Sequence, residues 1–309
     1  MQHNIKQPNF FIVGAPKSGT TAMYHFLRQH PEIFMPPEKE LRFFCKDLYE
    51  KFPHLRHFYR PTNLKEYLSF FKGVQNEKRI GEATPIYLMS KLAPLEIKRF
   101  CPKAKILIML RNPIEVLYSA YYQALYDGTE IIEDFEIAIK VDQKYRQNLA
   151  KKKDRYFVDC NYYEELVKFS EQIQRYFDVF GKENVHIIIF DDFKKDIHNI
   201  YRQTLTFLEV NPNFYPEFQV INPSKQVKIK WIRDFFINHP YLKDFFKPLI
   251  PKRFRTKLKK GITKLNTKTI SRPPMPHSVK KFLQKKLKPE IDKLSNLLNR
   301  DLSSWYNDK

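Results

Sequence analysis

Short apolar runs rich in branched and aromatic side chains recur along the chain at residues 10–13, 105–110 and 185–190, with a briefer one at 79–81. Each has the length of a strand, and the stretches between them carry the three-to-four-residue apolar rhythm of helices. Helices are predicted over 20–30, closed by Pro31, and over 64–71, with Thr62 as N-cap and Gly73 just past the end. A further helix starts at Asn112-Pro113, where a proline in the first turn costs no hydrogen bond. Others are predicted over 162–180 and 196–208, and two short ones, over 278–288 and 289–299, finish the chain. Strands alternating with helices predict an α/β fold, a three-layer α/β/α stack around a mostly parallel central sheet.

The connection after the first strand reads Gly14-Ala15-Pro16-Lys17-Ser18-Gly19-Thr20-Thr21. Gly14 and Gly19 have the spacing of a Walker A loop, but Thr20 stands where the lysine of that motif belongs, and Lys17 lies inside the loop instead. Backbone N–H groups and the start of a helix still favour an anion there, because unpaired donors and the helix dipole point the same way. The loop is therefore read as a phosphate cradle of P-loop type; the plain alternative is an ordinary strand-to-helix turn. The strand over 105–110 ends in Arg111, which a parallel sheet would project into the same crevice, and the helix after it carries Ser119. A magnesium-dependent NTPase wants an aspartate near such a strand end, and Arg111 argues against that reading. Between these lies Pro36-Pro37-Glu38-Lys39-Glu40-Leu41-Arg42-Phe43-Phe44, where Glu40 beside aromatic rings is the candidate general base, its pKa expected to be raised. Surface charges on a turn are the alternative.

Composition adds compartment and partner class. The chain has 309 residues, 42% hydrophobic and 15% aromatic, enough to bury a large core. Cys45, Cys101 and Cys160 are too few and too scattered for a disulfide framework or a zinc site, which suggests reduced thiols and a cytoplasmic protein. No apolar run approaches the roughly 20 residues that span a bilayer, and the residues before the first strand leave no room for a cleaved signal. The formal charge is +21, and between Lys225 and Arg272 fifteen Lys and Arg stand against Asp234 and Asp244, a net of +13. That stripe is expected to be a mostly helical lid or appendage, or a contact for a polyanion or an anionic membrane surface. No nucleic acid partner is expected. His25, His30, His186, His239 and His277 fall in no recognisable constellation and are read as structural or surface residues.

Phe11-Ile12-Val13-Gly14 with PKSGTT, then KELRFF, GEATPIYL, LRNPIEVLYSAY and LNRDLSSWY, resembles the sulfotransferase family, nearest to its carbohydrate (heparan-sulfate-type) branch and bacterial relatives. The resemblance covers residues 9–223 and 276–306. It implies that the donor is 3′-phosphoadenosine-5′-phosphosulfate (PAPS), leaving adenosine 3′,5′-bisphosphate (PAP), with no metal. Lys17, Ser18, Gly19, Thr20 and Thr21 would then hold the 5′-phosphosulfate, Arg111 and Ser119 the 3′-phosphate, and Glu40 would act as base. Three departures stand out. Ala83 replaces a lysine of the heparan-type enzymes, and Arg42 replaces a histidine of some relatives. The late basic loop over the 3′-phosphate is not recognisable, and Asn222-Pro223-Ser224-Lys225 with Lys228 and Lys230 is the substitute offered. The organisation expected is a core over 1–223, a basic aromatic-rich appendage over 224–275 and C-terminal helices over 276–309 packing back on the core. The acceptor would be a hydroxyl or amine, on a carbohydrate. Two rival readings are a P-loop kinase of nucleotides or small molecules using Mg-ATP, and a polyanion- or membrane-binding module with a vestigial cradle.

Overall fold

The computed structural model describes residues 7–51, 60–141, 163–219, 225–227, 267–269 and 272–307. In chain order the elements are β1 (Phe10–Gly14), α1 (Thr20–Leu27), β2 (Ile33–Phe34), α2 (Lys46–Lys51), α3 (Leu64–Ser69), β3 (Arg79–Ala83), α4 (Ala93–Phe100), β4 (Lys105–Leu110), α5 (Pro113–Asp127) and α6 (Phe135–Lys140). There follow α7 (Tyr163–Leu166), α8 (Phe169–Phe180), β5 (Val185–Ile189), α9 (Phe190–Lys195), α10 (Ile197–Phe207), β6 (Lys225–Val227), β7 (Thr267–Thr269) and α11 (His277–Leu298). Two compact units result: residues 1–117, 162–221 and 280–309 form the first, and 118–161 and 222–279 the second.

The first unit holds a five-stranded parallel sheet in the order β2-β3-β1-β4-β5. Parallel strands need both faces covered, and β1 is buried along its whole length, as a near-continuous apolar run demands. Its side chains alternate between two faces. Phe10 and Ile12 join Met23, Phe26 and Leu27 of α1 and Tyr201 and Leu205 of α10 in one core cluster. On the other face Phe11 meets Phe44 edge-on at 5.9 Å, and Phe44 packs on Tyr67, Tyr87 and Phe100. The α/β architecture expected from the alternation of runs is present. β2 adds a strand that two residues could not announce.

Local chemistry moved several element boundaries. Asn63, not Thr62, caps α3, its side chain accepting the Glu66 N–H at 2.9 Å, while Thr62 N–H and Oγ1 both donate to the Glu66 carboxylate. The stretch predicted as one helix over 162–180 is divided into α7 and α8. Conversely, the two short C-terminal helices are one, α11, with Pro289 inside it. A proline there removes a backbone hydrogen bond and costs about 3 kcal/mol. Yet Val279, Leu283, Leu287, Ile291 and Leu294 are all buried, so the apolar stripe runs through the proline without a break. After α11 the chain docks on the first unit: Arg300 grips the Asp192 carboxylate with both terminal nitrogens, and Trp305 Nε1 donates to Asp191 at 3.0 Å.

In the second unit Tyr121 Oη donates to Ile132 O at 3.1 Å, and Tyr118 and Tyr121 flank Phe135 at 4.9 and 5.0 Å. Tyr118 Oη also donates to Pro273 O at 3.0 Å. β6 and β7 pair antiparallel, a strand pair at the edges of the segment predicted to be mostly helical; the rest of that segment, including the aromatic stretch 231–250, lies outside the described residues. No described helix is long and apolar enough to cross a membrane. If the α11 stripe outweighs Pro289, Leu294→Ala should lower the unfolding free energy by about 2–5 kcal/mol in a urea titration, as for other buried leucines. A loss under about 0.5 kcal/mol would mean that the stripe does not hold the helix.

Candidate active site

The order of the sheet sets the site. β1 lies between β3 and β4, so the carboxyl ends of three adjacent parallel strands open side by side, where ligands of such sheets bind. Ala15 N–H donates to Met109 O at 2.6 Å and Thr84 N–H to Ile12 O at 3.0 Å, extending the ladders past the strands into the loops.

From Gly14 the chain turns into α1 through Gly19, the N-cap, with φ 90° and no side chain capping the helix start. A side chain at Gly19 would be strained by that backbone and would come within 2.8 Å of the Phe190 ring. The first-turn amides of a helix have no acceptor within it, so this end offers donors to an anion. Lys17 also adopts a left-handed backbone, φ 65°, uncommon for a residue other than glycine and a mark of functional loops. Ser18 is buried, with its N–H on Ala15 O at 3.3 Å; Thr20 is buried and Thr21 half-buried.

Arg111 is brought to this loop as expected. Its Nη1 approaches Lys17 O at 3.5 Å, its guanidinium lies over Phe190 at 5.0 Å, and Glu115 one helical turn on holds it at 2.6 Å. The adjacent Asn112 donates to Trp305 O at 3.0 Å, which ties this strand end to the C-terminal segment. Ser119 lies buried within α5, in the portion belonging to the second unit. Lys225 begins β6, opposite Thr269; Lys228 and Lys230 lie outside the described residues.

Glu40 is anchored to β3, its N–H donating to Ala83 O at 2.9 Å. Its aromatic setting predicts a raised pKa; the structure gives the reverse. Burial does push the carboxyl upward, but Lys39 Nζ at 3.3 Å and Arg42 Nη2 at 2.6 Å outweigh it and hold the group below the usual carboxylate range. Glu40 is therefore a carboxylate clamped between two cations, with its side chain 36% exposed. Its φ is 64° and that of Arg42 57°, so the backbone of this segment is strained at both residues.

The carboxyl with the raised pKa is Glu82, which sequence reasoning did not single out. It is fully buried on β3, and burial pushes it up to about 7 against the opposing hydrogen bonds of Thr84, Tyr67 and Tyr87. Tyr67 and Tyr87 donate to Oε2 at 3.0 and 3.1 Å, and Thr84 Oγ1 donates to Oε1 at 2.5 Å. The available signal was a lone carboxylate in a short buried strand, with a hydroxyl residue, Thr84, two positions on. Two of the histidines lie among packing and backbone contacts. His30 accepts the Glu32 N–H on Nδ1 and reaches Asn211 O with Nε2, both at 3.0 Å. His186, stacked on Phe207, is pushed down to about 4 by burial.

The family model described as "Sulfotransferase domain" matches residues 7–288. A crystal structure of a sulfotransferase from Alicyclobacillus acidocaldarius is 27% identical and superposes with a TM-score of 0.71, covering 98% of this chain and all of that one. The membrane-associated sulfotransferase kil1 of Dictyostelium discoideum is 20% identical, over 97% of this chain and 67% of its own length. The bifunctional heparan sulfate N-deacetylase/N-sulfotransferase 4 of Mus musculus is 27% identical over 71% of this chain, which spans about a quarter (24%) of that protein. With the sheet order, the displaced loop lysine and the match over nearly the whole length agreeing, the chain belongs to the sulfotransferase family.

Proposed function

We propose that the chain moves a sulfuryl group from PAPS to a hydroxyl or amine of a carbohydrate, with Glu40 as the base. The observation that carries this reading is the pairing of an anion loop on β1 with an ionised carboxylate anchored to the neighbouring strand β3. Family membership supports the donor. The carbohydrate acceptor draws on the named relatives, the heparan sulfate enzymes and the rat carbohydrate sulfotransferase 15, which is 24% identical over 74% of this chain.

In this mechanism the Lys17 ammonium and the amides from Gly19 to Thr21 face the 5′-phosphosulfate, and Arg111 takes the 3′-phosphate. The acceptor oxygen or nitrogen attacks sulfur in line with the bridging oxygen. As that bond forms, the S–O bond to the 5′-phosphate breaks, and the negative charge growing on the bridging oxygen is met by Lys17 and the loop donors. The acceptor proton passes to Glu40. Because Lys39 and Arg42 keep Glu40 ionised, it is ready as acceptor at neutral pH, and the proton moves late, once attack has made the acceptor acidic.

Glu40→Gln should lower kcat by about 10²–10⁴, the usual share of a general base, while PAP still binds as tightly as to the unaltered protein. Full turnover in that variant would remove Glu40 from the mechanism. Titration calorimetry should detect PAP binding without metal, weakened at least about tenfold in Lys17→Ala, by the loss of a charge-assisted contact. Binding of ATP that requires magnesium, with no binding of PAP, would instead support the kinase reading.

A further inference from the structure

Glu82 is buried beneath the segment that carries Glu40, and its partners face two ways. Thr84, Tyr67 and Tyr87 each have one hydroxyl hydrogen, and each gives it to the Glu82 carboxylate. The lone pairs of two of these hydroxyls then point at backbone donors. Thr84 Oγ1 accepts the Arg42 N–H at 3.3 Å, and Tyr87 Oη accepts those of Phe43 at 2.9 Å and Phe44 at 3.4 Å. Three consecutive amides are thus held by hydroxyls whose orientation a single carboxylate sets. The ring of Tyr67, stacked on Phe43 at 4.6 Å, closes the far side.

We propose that Glu82 is a positioning residue for Glu40: its carboxylate turns Thr84 and Tyr87 so that they grip the backbone of residues 42–44, and this grip keeps Glu40 and Arg42 in their left-handed conformations. The inference deepens the reading of Glu40 as the base and rests on it for its catalytic meaning. A carboxylate is required because it only accepts. A proton or an amide N–H₂ at either oxygen would face a hydroxyl oxygen with a hydrogen, force that hydroxyl to turn, and set its own hydrogen against a backbone N–H.

The titratable groups that face Glu82 are Tyr67 from α3, Tyr87 from the turn after β3, Tyr176 from α8, and Cys45 and Lys39 from its own neighbouring segment. Burial raises all three tyrosines well above their ordinary range and the Cys45 thiol to about 12, so they stay neutral near pH 7. Burial lowers Lys39, which Glu40 opposes. Glu82, at about 7 against an ordinary 4.5, is the carboxyl of this group that changes charge near neutrality. Its sign is that of a raised group: the stability it contributes is complete below about pH 4.5 and is lost as pH rises through about 7. The ionised state that orders residues 42–44 is therefore the globally less stable one.

Amide hydrogen exchange at residues 42–44 tests this without any sulfuryl transfer. In Glu82→Gln the amide nitrogen replaces one carboxylate oxygen, so exchange should be about tenfold faster at Arg42, where Oε1 is replaced, or at Phe43 and Phe44, where Oε2 is replaced, the factor that one hydrogen bond of ordinary net strength supplies. PAP affinity should not change, and kcat should fall about tenfold with donor KM unaltered. Thr84→Val should release Arg42 alone, and Tyr87→Phe should release Phe43 and Phe44 alone. Corrected for intrinsic rates, protection in the unaltered protein should grow as pH passes 7 and stay flat in Glu82→Gln. Protection unchanged in variants that still bind PAP, or a pH dependence that persists in Glu82→Gln, would overturn the proposal. Should Glu82→Gln fail to fold, the two hydroxyl variants decide by the same measure. Turnover surviving in Glu40→Gln would remove the base and leave the exchange pattern to decide the role of Glu82 by itself.

Discussion

Everything in the site hangs on the pairing of β1 with a parallel strand on each side. Because β3 and β4 both run alongside it, the loops leaving all three strands emerge together, and continued ladder bonds fix where each begins. Lys17, Thr84 and Arg111 come from distant parts of the chain, yet each lies within a few residues of one of these strand ends. The apolar burial of β1 on both faces, with Phe10 and Ile12 on one side and Phe11 on the other, holds the arrangement rigid. The β1 loop so anchored carries left-handed backbone at Lys17, and the segment after β2, tied to the end of β3 by the Glu40 N–H, carries it at Glu40 and Arg42, the packed sheet behind them offsetting the cost.

Two carboxyls on neighbouring segments end with opposite electrostatics. Glu40 is partly exposed and clasped by two cations, which keep it charged; Glu82 is fully enclosed and hydrogen-bonded by three hydroxyls, which only partly offset the rise that burial causes. Environments that push paired groups apart in this way divide roles between them. In the proposed mechanism the exposed one takes the acceptor proton, and the buried one orders the chain that presents it.

Much of the fold was legible because its strands are buried apolar runs, which stand out in any sequence. β2 was not, since two residues carry no period, and Asn63 displaced Thr62 as cap because either side chain suits the position. Pro289 misled because local propensity is weaker than a stripe of five buried side chains. At the site, Gly19, Lys17 and Arg111 were readable from spacing and from their place after strands. The sign of the Glu40 shift was not, because Lys39 and Arg42 are adjacent in sequence and only the backbone decides whether they face it. Glu82 stayed hidden for a related reason: Tyr67 reaches it from α3, across a gap that composition and period do not bridge.

The proposed role of this cradle is to deliver a sulfuryl group. The direct measurement is transfer of labelled sulfate from PAPS to a panel of hydroxyl- and amine-bearing carbohydrates, with chelator present. The expected result is label on a carbohydrate acceptor with PAP released in equal amount. No label on any acceptor, together with phosphoryl transfer from Mg-ATP under the same conditions, would contradict it.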